Sequence, residues 1–327
     1  MVVALTGANG HVGAAVCRQL LEEAHEVRAL VYRDDTALRG LPVTLVRGAL
    51  TDAPALKRLC AGAEVVQHLA AQISIGGVPE KQLWQTNVSG TQQLLNACQS
   101  AGVRRLVYFS SIHAYRAVPP DQVFEENAQP ATEFPYERSK AAAQALVLAA
   151  DGAFGMETLC LNPTAVLGPW DFKPSLQGQM ILDLLQGRIP VLTPGGFDWV
   201  DNRDIALAAA AALTRGKPGE AHLLPGQFAT MVELAALLGR ISGQPMPRRT
   251  VPFWLLKSIT PALAGWSALT GRQALFTREA LSHVERGHPR VSAAKAAREL
   301  GYRPRPLEET LRDTYHWFTK QGKFAAS

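Results

Sequence analysis

Val2-Val3-Ala4-Leu5-Thr6-Gly7-Ala8-Asn9-Gly10-His11-Val12-Gly13 is the stretch that decides the fold. A short apolar run breaks into glycines at 7, 10 and 13. A helical pattern starts at once: Val12, Val16, Leu20 and Leu21 recur at helix spacing, with Arg18, Gln19, Glu22 and Glu23 between them. The reading is strand, glycine turn, helix. In such a turn the first glycine permits the tight bend and the second lets the backbone approach a diphosphate. The third lets helix pack on strand. Free N–H groups and the dipole at the helix start favour an anion. The spacing TGxxGxxG is a variant of the dinucleotide fingerprint. It makes Gly7, Asn9, Gly10, His11, Val12 and Gly13 candidate cofactor contacts.

Outward from this turn, Glu26–Tyr32 reads as a second strand that ends at Arg33 and Asp34. In dinucleotide folds an acidic residue here bonds the adenosine ribose, whereas a nearby Arg accommodates a 2′-phosphate. Arg33 therefore favours NADP(H). The alternative is NAD(H), with Arg33 a solvated loop residue and Asp34 or Asp35 on the ribose. Val43–Val46 is a third strand and Ala53–Leu59 a helix. Glu64–Leu69 is an apolar strand running into Ala70-Ala71, where small residues let a cofactor lie against the backbone; Leu69, Ala70 and Ala71 are candidates for that contact. After a loop at Ser74–Pro79, a long helical stretch, Glu80–Ala101, carries Asn87. Arg105–Phe109 is a strand ending in Ser110-Ser111. Pro135 opens an Ala-rich helix, Tyr136–Ala150, and Glu157–Leu161 closes on Asn162-Pro163.

This alternation implies a Rossmann-type α/β fold, a doubly wound parallel sheet with helices on both faces. Past residue 163, Pro and Gly punctuate helical patterns, with a return strand at Ala221–Leu224. The expected division is a dinucleotide-binding domain over 1–162, with 199–224 returning to it. Residues 163–198 and 225–327 make a smaller, mostly helical substrate part.

With 47% hydrophobic and 19% charged residues, the composition is that of a soluble globular protein. A net charge of +5 without a basic stripe or aromatic platform gives no support to nucleic-acid binding. Cys17, Cys60, Cys98 and Cys160 show no CxxC or Cys/His ligand spacing. They read as reduced packing residues of a cytoplasmic protein, and no metal is expected. No signal peptide is expected, because Met1 runs straight into the first strand, and no membrane span, because the most apolar windows, such as Ile205–Leu213, are far too short.

Tyr136 and Lys140 lie four apart on one helix face. A free Tyr titrates near 10, and a neighbouring cation lowers that value. With Ser111 on the same substrate oxygen, the set suits proton exchange with an alcohol or carbonyl while a nicotinamide takes or gives hydride.

The glycine turn, His68-Leu69-Ala70-Ala71, Asn87-Val88-Ser89-Gly90-Thr91, Ser110-Ser111 and Tyr136…Lys140 occur in this order, followed by Asn162–Pro169, Val200–Ala206 and Leu300–Pro304. Over nearly its whole length the chain resembles the extended short-chain dehydrogenase/reductase family (the NAD-dependent epimerase/dehydratase superfamily). Val27–Asp34, Asn162-Pro163-Thr164 and the apolar C-terminal part resemble its dihydroflavonol-reductase and 3β-hydroxysteroid-dehydrogenase-like branch. The resemblance implies that Tyr136 is the general acid/base. Lys140 binds the nicotinamide ribose and lowers the Tyr pKa, and Ser111 orients the substrate oxygen. Asn87 supports the site, while Asn162, Pro163 and Val166 lie by the nicotinamide. The two long central helices form a homodimer. Two places depart from the family pattern. Ala49 stands where many relatives carry an acidic adenine contact, leaving Leu50 as a contact or a packing residue. Ile112-His113 replace the Asp-Glu pair of dehydratases.

The expected function is therefore an NADP(H)-dependent oxidoreductase acting on a carbonyl or secondary alcohol of an apolar or aromatic small molecule. One alternative is a nucleotide-sugar epimerase with tightly held NAD, using Arg188, Arg203 or Arg272 on a sugar diphosphate. Another is a non-catalytic redox sensor that binds NADP(H). His113 reads either as a proton relay or as a loop histidine. Trp170, Asp171, Phe172, Phe197, Trp199, Phe253, Trp254 and Trp266 read as pocket wall or as core.

Overall fold

The computed structural model describes residues 1–73, 78–258 and 278–324. Its centre is a seven-stranded parallel sheet built from β1 (Val2–Thr6), β2 (Glu26–Val31), β3 (Val43–Arg47), β4 (Val65–His68), β5 (Arg105–Phe109), β6 (Glu157–Pro163) and a late β9 (Glu220–Leu224). The strand order is β3-β2-β1-β4-β5-β6-β9. It reverses between β1 and β4, so the glycine turn and Leu69–Ala71 leave the sheet side by side at its switch point, where open α/β sheets hold ligands. Every residue of β4 and β5 is buried. Strands covered on both faces are mostly apolar, and the buried polar residues Gln67, His68 and Arg105 are held in hydrogen bonds.

Helices cover both faces. On one lie α1 (His11–Glu22) and α7 (Asn202–Ala211), with Val16, Leu20, Ile205 and Ala209 packed on Val3, Leu5 and Val107. On the other, α2 (Ala53–Cys60), α4 (Gly90–Ala101) and α5 (Pro135–Ala149) bring Leu56, Leu94 and Val147 onto Ala4, Val66 and Leu106. The stretch 80–101 is α3 (Glu80–Trp84), a π-helical turn at Gln85–Ser89, and α4. Asn87 sits in that wider turn, a local feature that clusters at functional sites.

The second half contains the expected helices, among them α6 (Leu176–Leu185) and α8 (Met231–Ser242). It also contains a small sheet that the sequence reading lacked: β7 (Ala165–Leu167) and β8 (Gly196–Asp201) run parallel, and β8 pairs antiparallel with β10 (Gln227–Thr230). Trp199–Asp201 lie in it. Three-residue β7 is too short for a period, and Asp198 and Asp201, three apart, put a carboxylate on each face of β8. Both aspartates are buried in hydrogen bonds, so no apolar period-2 pattern survives. A third core joins this sheet to the later helices through Leu182, Trp199, Leu234, Leu311 and Phe318. All four cysteines are buried and free. Among the described residues no helix is long and apolar enough to cross a membrane.

Candidate active site

The glycine turn is shaped by backbone against backbone. Gly7 has φ +73, and a Cβ there would lie 2.5 Å from Ala70 N. A Cβ on Gly13 would lie 2.1 Å from Gly7 O. The turn is thus an uncovered run of main chain opening α1, as a diphosphate cradle requires. Val12 is half-buried against the core, and His11 Nε2 lies 3.1 Å from Gly168 O, which ties α1 to the loop after β7.

Beneath the turn runs a buried relay. Thr91 Oγ1 donates to Asn87 O at 2.6 Å, so its oxygen accepts from His68 Nε2 at 2.9 Å. His68 Nδ1 then accepts from Thr6 Oγ1 at 2.7 Å, and Thr6 Oγ1 accepts from Ala70 N–H at 3.2 Å. The wiring fits a neutral imidazole, and burial lowers the His68 pKa to about 3. Leu69 and Ala70 are held at the switch point by this chain. The next segment is held by Asn87, whose Oδ1 accepts from Gln72 N–H at 2.7 Å while Nδ2 donates to Gln72 O and Ser139 Oγ, each at 3.0 Å. Both polar atoms of Asn87 therefore face protein partners, and its visible work is to join the 70–72 segment to α5. Leu50 is buried and packs close to Gly90.

Ser111, Tyr136 and Lys140 converge from the end of β5 and from the first turns of α5. All three are buried. Pro135 at the helix start and Glu137 reaching back to Phe134 N–H fix the entry of α5. Burial pushes Tyr136 up to about 12, and a hydrogen bond from Ser111 opposes that rise. Lys140 Nζ donates to Phe109 O at 2.7 Å and Tyr108 Oη at 3.0 Å, and burial lowers it to about 7. The sequence reading had Lys140 lowering the Tyr136 pKa. In the structure burial raises the Tyr136 phenol and lowers the Lys140 amine.

A stability test follows from Lys140. Burial lowers the folded amine to about 7, against 10.5 for a free lysine. Between those values the unfolded chain holds the extra proton, so this group makes stability rise with pH across the window; below it the full cost of burying the cation remains. Lys140→Met lacks the effect. The urea-denaturation stability of wild type minus variant should grow by about 2 kcal/mol or more from pH 6.5 to 9.5. A flat difference would mean that the folded amine stays charged.

Asn162 Nδ2 donates to Ser111 O at 2.9 Å and Gln144 Oε1 at 2.7 Å, binding the end of β6 to the serine turn. Asn162 Oδ1 and Ser110 Oγ are buried with no hydrogen-bond partner among the described residues. Pro163 and Val166 follow on β6 and β7. Open glycine backbone at the switch point and orphaned polar atoms at the sheet's carboxyl edge fit a dinucleotide.

At the far end, Arg33 is exposed and stacks over the Tyr32 ring, 4.8 Å from its centroid. Asp34 is saturated. Its Oδ1 accepts from Thr36 N and Oγ1, and its Oδ2 from Asn9 Nδ2 at 2.9 Å and Lys173 Nζ at 2.7 Å. These donors, Lys173 first, hold the carboxyl far below the usual carboxylate range. Asp35 pairs with Arg47 and Arg39. Lys173 escaped the sequence reading because it reaches Asp34 only through the fold.

Beside Ser111 and Tyr136 lies a cavity of about 360 Å³, walled by their chain neighbours Ile112, His113 and Glu137, by Thr164, and by Phe197 and His283 from the second half. Phe197 is thus pocket wall, whereas Trp199 is core, donating to Ala229 O at 3.1 Å. Trp170 and Phe172 sandwich Arg18, Phe253 lies against Gly195, and Trp254 is exposed. Asp171 is buried and binds Ser175. Trp266, Arg272 and residues 74–77 lie outside the described residues.

Fold and glycine turn together define a dinucleotide-binding α/β enzyme. Residues 3–224 match the NAD dependent epimerase/dehydratase family, and the chain belongs to that family. It is an NAD(P)-binding oxidoreductase of the extended short-chain dehydrogenase/reductase branch. Sterol demethylase protein B of Methylococcus capsulatus is 33% identical over 98% of this chain and 99% of its own. A putative dihydroflavonol 4-reductase of Synechocystis is 32% identical, over 97% and 94%. The crystal structure of gox2253 superposes with a TM-score of 0.85 at 31% identity, covering 99% of each chain.

Proposed function

We propose that the protein is an NADPH-dependent reductase of a carbonyl group on an apolar or aromatic small molecule, with Tyr136 as proton donor. The observation that carries this reading is the buried Tyr136 phenol, pushed up to about 12, on the first turn of α5, with Ser111 at the end of β5, both next in sequence to residues that wall the cavity. Such a phenol stays protonated at neutral pH yet is far more acidic than the alcohol it would make, which suits the reductive direction. The coenzyme, when bound, supplies the hydride. Ser111 Oγ holds the carbonyl oxygen, and Tyr136 protonates it as negative charge develops. Lys140 Nζ, fixed on Phe109 O and Tyr108, stands to bind the nicotinamide ribose, and Asn162, Pro163 and Val166 flank the ring.

Saturation of Asp34 supports NADPH over NADH: neither oxygen is left for ribose hydroxyls while Lys173 stays paired with it, and the exposed Arg33 offers a cation for a 2′-phosphate. Charge-assisted bonds of this kind contribute about 1.5–3 kcal/mol. Arg33→Ala should weaken NADPH binding roughly tenfold or more and NADH binding less than about threefold. Equal losses would remove the phosphate assignment. Of the basic groups weighed for a sugar diphosphate, Arg188 is paired with Asp183, and Arg203 with Asp201 and Asp313.

The test is NADPH oxidation over aldehydes, aromatic ketones, steroid ketones and sugar nucleotides. Net consumption with apolar carbonyls is expected. Interconversion of a sugar nucleotide without net consumption would overturn the reductase reading.

A further inference from the structure

The cavity has apolar walls in Ile112, Phe124, Phe197 and Val291, which suit a hydrocarbon body. They do not explain three polar residues gathered at one side. His113 and His283 stack, with ring centroids 4.1 Å apart and planes inclined by 27°. His283 Nε2 lies 3.0 Å from Glu137 Oε1 across 146 residues of chain, and Glu137 Oε2 accepts from Phe134 N–H at 3.3 Å. A carboxylate oxygen only accepts, so His283 Nε2 carries the hydrogen and its Nδ1 is the ring's remaining polar atom. His113 donates its main-chain N–H to Ser111 Oγ at 3.1 Å, which accounts for its turn but not for its ring. Enclosure in the protein and the neighbouring His283 hold the His113 ring neutral, although it keeps surface open to the cavity.

The three residues sit beside the reacting groups: His113 is two positions past Ser111, and Glu137 directly follows Tyr136. The other charges around the cavity are placed differently. Arg286 is paired with Glu133, Asp198 accepts from Thr164 and Gly226, and Arg116 is exposed.

We propose that His113, Glu137 and His283 form a second polar subsite that takes a hydroxyl group of the substrate, so that the preferred substrate is a hydroxylated carbonyl rather than a bare hydrocarbon ketone or a carboxylate. This rests on the reductase reading above and names its substrate class. A hydroxyl donates to one imidazole nitrogen and accepts from another. A hydrocarbon in its place leaves buried polar groups without water or partner, the kind of loss by which sites reject analogues lacking an OH. A carboxylate meets the negative charge of Glu137. The same donor set, with its ligand atoms within 4.8 Å of one another, has the composition of a metal site. Rings stacked this nearly parallel keep their in-plane lone pairs from converging on one ion.

The experiment measures binding to the NADP⁺-loaded protein by calorimetry, for matched bicyclic and steroid ketones that differ by one hydroxyl, together with their carboxylate analogues. Wild type should bind at least one hydroxylated member about tenfold or more tighter than its deoxy partner. His283→Ala, and His113→Phe (which keeps a stacked ring but no nitrogen), should each bring that ratio to within about threefold of one; His283→Ala also strands the buried Glu137 carboxylate and lowers the melting temperature, so the hydroxyl-to-deoxy ratio in the folded, NADP⁺-loaded protein is the quantity compared. No preference in wild type, a preference that survives both variants, or tighter binding of the carboxylates would overturn the subsite. So would stoichiometric binding of zinc that His283→Ala abolishes, which would make the cluster a metal centre. Turnover with NADPH is followed separately. Preferential binding without NADPH consumption would sink the reductase reading and leave the subsite standing.

Discussion

Tyr136→Phe should lower kcat for carbonyl reduction by about a thousandfold while NADPH affinity changes less than about threefold. General acid catalysis contributes about 10²–10⁴-fold, and here no second acid stands ready. Ser111 can orient the oxygen, but its hydroxyl is a much weaker acid than a phenol. Lys140 is engaged by Phe109 O and Tyr108. The substitution removes one oxygen from a fully packed aromatic position, so the fold and the coenzyme cradle should be unaffected; Tyr136 is 7% exposed. Single-turnover rates with bound NADPH measure this directly. A variant within tenfold of wild type would show that the proton comes from elsewhere. Unaltered turnover in Ser111→Ala as well would remove the whole set from the mechanism.

The parts of this site that are legible in the sequence are those made by local rules. Gly7 and Gly13 after the first apolar run specify the turn because only residues without a Cβ tolerate such approaches. Arg105–Phe109 is legible because a strand buried on both faces is nearly continuously apolar, here Leu106–Phe109 after the ion-paired Arg105. Ser111, Tyr136 and Lys140 were legible from order and spacing together. What escaped is tertiary. Lys173 meets Asp34, and His283 meets Glu137, across long stretches of chain that no window spans. The small sheet escaped because its polar residues are buried in hydrogen bonds rather than left out by a period. Spacing gives the proximity of Tyr136 and Lys140, whereas the burial that shifts both groups comes from the fold.

Gly13→Ala should cost both stability and coenzyme binding, and Gly10→Ala should separate the two. A Cβ on Gly13 would lie 2.1 Å from Gly7 O and 2.8 Å from Ala8 Cα. Both are backbone atoms, so no rotamer change relieves the contact. The first turn of α1 must shift away from β1, yet α1 is clamped on its other side by α7, where Ile205 and Ala209 share its core. Overpacking of this kind costs about 1–3 kcal/mol or more, a fall of several degrees in Tm for a chain of this size. The shift also moves the N–H groups that open α1, and coenzyme affinity should drop about a hundredfold. Gly10 stands at the cap of the same helix with φ −80, where a Cβ meets only Gly7 O at 3.3 Å. The folded chain can accept Ala there, so Tm should move by no more than about 1–2 °C, while a methyl on the open face of the turn still weakens NADPH binding. Thermal melts and NADPH titrations of the two variants in parallel test this. If both variants lose stability equally, the close approach of Gly13 to Gly7 is not what fixes the turn. If Gly10→Ala binds NADPH as wild type does, the diphosphate does not lie over the glycines.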